Sequence, residues 1–144
     1  MSITEQDHQY LQLLSIFHYV VGGITALFGC FPIFHLAIGL SMLFGGFMTA
    51  DIEGVLFSTL FGLMFTLIPL LIILSFWGLA AATAVSGYFI QTRQRRIFSI
   101  VMAAINCAMF PFGTVLGVFT IIVLVRPSVI SLYEQSAVIA EEVE

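Results

Sequence analysis

The sequence predicts an all-α integral membrane protein: a helical bundle of two long apolar helices plus a shorter helical hairpin. Three observations carry that expectation. The 144 residues are 60% hydrophobic and 8% charged, with a mean hydropathy of +1.14; a soluble domain is about 45–50% apolar and about 25% charged. Four arginines, no lysine and eight acids are too few to cover a water-facing surface. Those charges fall at the two ends and in short loops, leaving long stretches without any Asp, Glu, Lys or Arg. The same numbers argue against disorder, a disulfide-stapled secreted fold and a nucleic-acid partner.

Thr4-Glu5-Gln6-Asp7 reads as a helix start, with a Thr cap and acids at the positive end of the helix dipole. The N-terminus has no basic region before a short apolar core, so the first helix is expected to stay as an anchor. From Leu13 to Ala50 no residue is charged, which as one helix would be about 57 Å long. A bilayer core is about 30 Å thick. Pro32 is the natural break. A kinked and tilted helix, a helix protruding into a partner and two short membrane segments all remain open.

Gly45 to Gly54 reads as the first loop and holds Asp51 and Glu53. Val55 to Ile90 is the second long stretch, with Pro69 as a candidate bend. Its second half, Gly78 to Gly87, is rich in Gly, Ala, Ser and Thr, a composition suited to close helix packing. Gln91 to Arg96 carries Arg93, Arg95 and Arg96, and the positive-inside rule puts this loop in the cytoplasm. Ile97 to Val125 is broken at Pro111–Gly113 and ends at Arg126-Pro127. A single crossing would separate Arg126 from the other arginines; a turn at Pro111–Gly113 keeps all four on one side and is preferred. Both termini are then cytoplasmic. Residues 1–127 form the transmembrane helical domain, and residues 128–144 an amphipathic acidic tail. In that tail Val129, Leu132, Tyr133, Ser136, Ile139, Ala140 and Val143 follow helical spacing. Its acidic face suits a protein groove or the protein's own helix ends better than anionic lipid.

The run Arg96-Ile97-Phe98, then Phe110-Pro111-Phe112-Gly113-Thr114-Val115-Leu116-Gly117, then Arg126-Pro127, resembles the closing segments of small bacterial four-segment integral membrane proteins. These have an Arg-rich loop and a Pro-x-Gly-Thr-x-x-Gly turn. Leu14 to Gly23 is similar to their opening helix. The resemblance implies a bacterial inner-membrane location and no particular activity.

The most informative chemistry is an absence. Without intramembrane acids or bases, a proton pump or a hydrolytic membrane enzyme lacks its working groups. No catalytic residue, metal ligand set or cofactor is expected. His18 and His35 are 17 residues apart, about 25 Å along a helix, too far to ligate one ion together. They read as neutral histidines bonded to a neighbouring helix or lying at the interface, ahead of a haem or metal role. Cys30 and Cys107 read as buried free thiols. Asn106, the one amide inside the apolar stretches, reads as interhelical glue with Thr114 as a companion; a ligand site there is the alternative. Gly22/Ala26, Ala80/Ala84 and Gly113/Gly117 place small residues one turn apart, as packing faces do.

The expected function is therefore non-enzymatic: a membrane protein that self-associates, or an accessory subunit of a membrane assembly, with the bilayer and other membrane subunits as partners. Two rivals stand: an oligomeric channel lined by Ser, Thr and Asn, and a quinone-, lipid- or haem-binding module.

Overall fold

A computed structural model describes residues 3–46, 48 and 51–142. Over these residues the chain forms six helices and no strand: α1 Ile3–Cys30, α2 Ile33–Gly46, α3 Ile52–Gln91, α4 Arg96–Asn106, α5 Phe112–Leu124 and α6 Pro127–Glu142. The fold is all-α. Glu5–Gly46 and Ile52–Gln91 are long and apolar enough to cross a membrane, and α4 and α5 make the shorter hairpin.

The helix breaks follow from local chemistry. Thr4 lies in the first turn of α1, and its capping side chain is outside what the structure describes. Pro32 disfavours helical backbone at Phe31 and ends α1. The gap is two residues: Phe31 N–H donates to the Phe28 carbonyl (3.2 Å) and Leu36 N–H to that of Pro32 (2.9 Å). The apolar run then continues across the break over 42 residues.

The expected loop Gly45–Gly54 is shorter than its composition suggests. Asp51 Oδ2 accepts the Gly54 N–H at 2.8 Å, as an N-cap acid does, so α3 starts at Ile52 and takes Glu53 and Gly54 into its first turn. Ala50 lies outside the described residues. Pro69 sits inside α3 without interrupting it. It has no N–H to give the carbonyl four residues back, that of Phe65.

The chain divides into two compact units. Unit 2, Ile24–Leu79, holds the end of α1, all of α2 and the first part of α3. Its helices pair in antiparallel order: Gly29 meets Phe76 and Trp77, Gly39 meets Phe65, Leu43 meets Gly62, and Gly46 meets Ser58. At Gly39 the neighbouring atoms are all backbone. A Cβ there would sit 2.6 Å from the Phe65 carbonyl oxygen, which Pro69 has left without its helical donor. The outer faces are apolar and uncovered, with Phe31 75%, Leu27 73% and Phe44 71% exposed.

Unit 1, Met1–Gly23 with Ala80–Glu144, holds the start of α1, the end of α3, and α4 to α6. Its core joins Leu11, Leu14 and Val21 of α1, Ile90 of α3, Leu116, Val123 and Leu124 of α5, and Val129, Leu132 and Tyr133 of α6. Val129, Leu132 and Tyr133, spaced i, i+3, i+4, give α6 its buried stripe. Val143 and Glu144 lie outside the described residues. The α5 and α6 axes are bent by 75° at Val125-Arg126. At about 17 and 20 Å, α4 and α5 are too short to cross a bilayer core separately.

Candidate functional site

Unit 1 buries a polar seam on three helices, α1, α3 and α4. Asn106, the last residue of α4, is 1% exposed, and Thr83 of α3 is fully buried. The Asn106 Nδ2 and Oδ1 atoms each lie 3.3 Å from Thr83 Oγ1, so the hydroxyl serves the amide as acceptor or donor. Ser15 Oγ of α1 donates to the Gly87 carbonyl of α3 at 2.8 Å. Gly87 permits that approach: a Cβ on it would be 3.0 Å from His18 Cβ and 3.1 Å from the Ser15 carbonyl oxygen. Ser99 Oγ of α4 donates to the Ser86 carbonyl at 3.5 Å. Each bond ties one helix to another where no water competes for it.

His18 is fully buried, and its Nδ1–H donates to the Leu14 carbonyl at 2.9 Å. That fixes the tautomer and leaves Nε2 as a bare acceptor without a partner. Its bond is to its own helix. His35, in unit 2, is exposed among the rings of Phe31, Phe34 and Phe65. With Phe31, Pro32, Met64, Phe65 and Ile68 it lines an apolar cavity of about 330 Å³.

The small residues fall as follows. A Cβ on Gly22 would lie 3.2 Å from the Ala80 carbonyl oxygen and 3.7 Å from the Ala84 nitrogen. Gly113 lies against the Asn106 carbonyl and Gly117 against that of Ala103, drawing α5 onto α4. Thr114 Oγ1 closes the hairpin by donating to the Cys107 carbonyl at 2.8 Å; it does not join Asn106 by a side-chain bond. Ala26, in unit 2, is half-buried, and its carbonyl accepts the Cys30 thiol at 3.5 Å. Cys107 is half-buried, but Cys30 is exposed. The expectation of a buried Cys30 fails because the helix segments of unit 2 cover only the seam between them.

The arginines form the other polar region. At the end of α3, Arg93 N–H donates to the Ile90 carbonyl (3.3 Å) and Gln94 N–H to that of Phe89 (2.8 Å). This is a Schellman cap with Arg93 at the left-handed position usually held by glycine. Arg93 and Arg95 have φ of 53° and 45°. The Arg93 guanidinium bonds His8 Nδ1, and that of Arg95 lies 5.7 Å from the Phe89 ring centroid. Arg126 Nη1 is 3.8 Å from Asp7 Oδ1, and its guanidinium lies over Tyr10. Arg93 and Arg126 therefore contact consecutive residues of α1. Both arginine-bearing turns stand at one end of unit 1, the arrangement that a turn at Pro111–Gly113 produces.

Sequence reasoning missed Asp7, His8, Thr83 and Ser15 as members of these clusters. Asp7 reads as a helix-start acid, and no local signal pairs it or His8 with an arginine far along the chain. Comparison with protein-family models, curated proteins and solved structures finds no match.

Proposed function

We propose that the chain is a non-enzymatic integral membrane protein of the bacterial inner membrane that builds a membrane assembly, from copies of itself or as an accessory subunit. The observation that carries this reading is the exposed apolar surface of unit 2. Apolar runs of 42 and 40 residues are each about twice as long as a bilayer core hides. A lone chain would present large apolar faces such as those around Phe31, Phe34 and Phe44 beyond the hydrocarbon. Packing on other membrane helices removes that cost.

The polar side chains favour this reading over a pore. Ser15, Thr83, Ser99 and Asn106 use their hydrogen-bonding capacity inside one unit of one chain. That leaves them unable to line a lumen between copies. Extraction into native-lipid discs followed by light scattering tests the proposal. Particles holding several copies, or this chain with a second polypeptide in fixed ratio, are expected. Single copies with no companion overturn it.

A further inference from the structure

The turn between α3 and α4 and one face of α6 border an open cavity of about 910 Å³. Its walls include Arg93, Arg95 and Arg96 from the turn, and Tyr133 and Glu134 from α6. Three arginines against one described acid make the lining basic. Among the described residues Arg96 Nη1 and the Tyr133 hydroxyl are buried without a hydrogen-bond partner, and Tyr133 is only 8% exposed. A buried guanidinium nitrogen with no acceptor is costly, and ordinary packing does not leave one idle.

The backbone adds to the same side of the balance. The 11-residue α4 starts at Arg96 and has no side-chain cap. Its first intrahelical donor is Ser99 N–H, to the Arg95 carbonyl at 3.4 Å, which leaves the N–H groups of Ile97 and Phe98 at the cavity wall without helical acceptors. The positive end of the helix dipole lies there too. The turn also keeps two arginines in left-handed backbone, a strained arrangement that persists at functional sites.

We infer that this cavity binds a phosphate group, with Arg96 and Arg93 as the cationic contacts and the Tyr133 hydroxyl as a neutral donor. Phosphate offers several acceptor oxygens to a guanidinium fork, a phenol and a helix N-terminus at once. Among the described residues Glu134 is the single acid on the wall, and it opposes binding. The phosphate can belong to an anionic lipid headgroup at the membrane edge or be free in solution. The lipid source rests on the membrane reading above, and the free-phosphate source does not.

Native mass spectrometry of the detergent-released full chain tests the inference, with phosphatidylglycerol, phosphatidylcholine and inorganic phosphate as probes. Phosphatidylglycerol adducts are expected to exceed phosphatidylcholine adducts. Arg96→Gln and Arg93→Gln should each weaken them about fivefold, and Glu134→Gln should strengthen them. Arg96→Lys, which keeps the charge and loses the fork, should fall in between and decides the matter if Arg96→Gln loses helicity. Inorganic phosphate bound by the wild type and lost in the Arg96 variants, without lipid adducts, assigns the site to free phosphate. Equal retention of both lipids with no bound phosphate overturns the inference. So does retention unchanged in Arg93→Gln and Arg96→Lys.

Discussion

Arg126 reaches from the α5–α6 junction to Asp7 in the second turn of α1, with 3.8 Å between Nη1 and Oδ1. The partners are unequal: the Asp7 side chain is 4% exposed and that of Arg126 46%. Asp7 Oδ2 has no hydrogen-bond partner among the described residues. A buried carboxylate held by one half-exposed cation makes removal of the cation costly, because the charge left behind is desolvated. Arg126→Gln should therefore destabilise the fold by about 2 kcal/mol, and Asp7→Asn by less than half as much. The double variant should match Asp7→Asn alone. Unfolding in mixed micelles reads all three, and equal costs for the two single variants would contradict the assignment.

The Thr83–Asn106 bond is expected to behave as a coupled pair. Asn106→Ala and Thr83→Val should each cost about 1 kcal/mol. Together they should cost less than the two added, since either one already breaks the bond. Strict additivity in the same assay would show that the two side chains act independently.

Gly39 gives a sharper contrast. Its Cα lies against the Phe65 carbonyl, and a methyl group there must push α2 off α3. Gly39→Ala is expected to cost about 2 kcal/mol, the range of an overpacked contact. Gly45→Ala, with nothing within 4 Å of its Cβ, should be neutral or stabilise by up to about 1 kcal/mol through helix propensity. Thermal unfolding of the two variants separates packing from propensity, and similar shifts would reject the close approach.

These examples show how far the sequence can be read. Helix content, the break at Pro32 and the stop at Arg126-Pro127 were legible because proline and charge act locally. The α6 stripe was legible for Val129, Leu132 and Tyr133 because helical period alone places them together. Gly39 was not legible as a contact. Its importance depends on a proline 30 positions away that frees a carbonyl on another helix. Asp7 is legible as a helix-start acid but not as a partner of Arg126, because that contact joins residues 119 positions apart. Glu53 and Gly54 moved from loop to helix through one capping bond from Asp51, which composition alone does not announce.

The central claim is that lipid or partner helices, not water, cover the exposed apolar faces of unit 2, and Cys30 reports on it directly. Its thiol is exposed on the protein surface within the apolar run Glu5–Gly46. A hydrophilic maleimide reacts with thiolate, which needs water around it. In intact membranes carrying a Cys107→Ala variant, Cys30 should resist such a reagent and label fully once detergent unfolds the chain. Rapid labelling of Cys30 in the intact membrane would contradict the account.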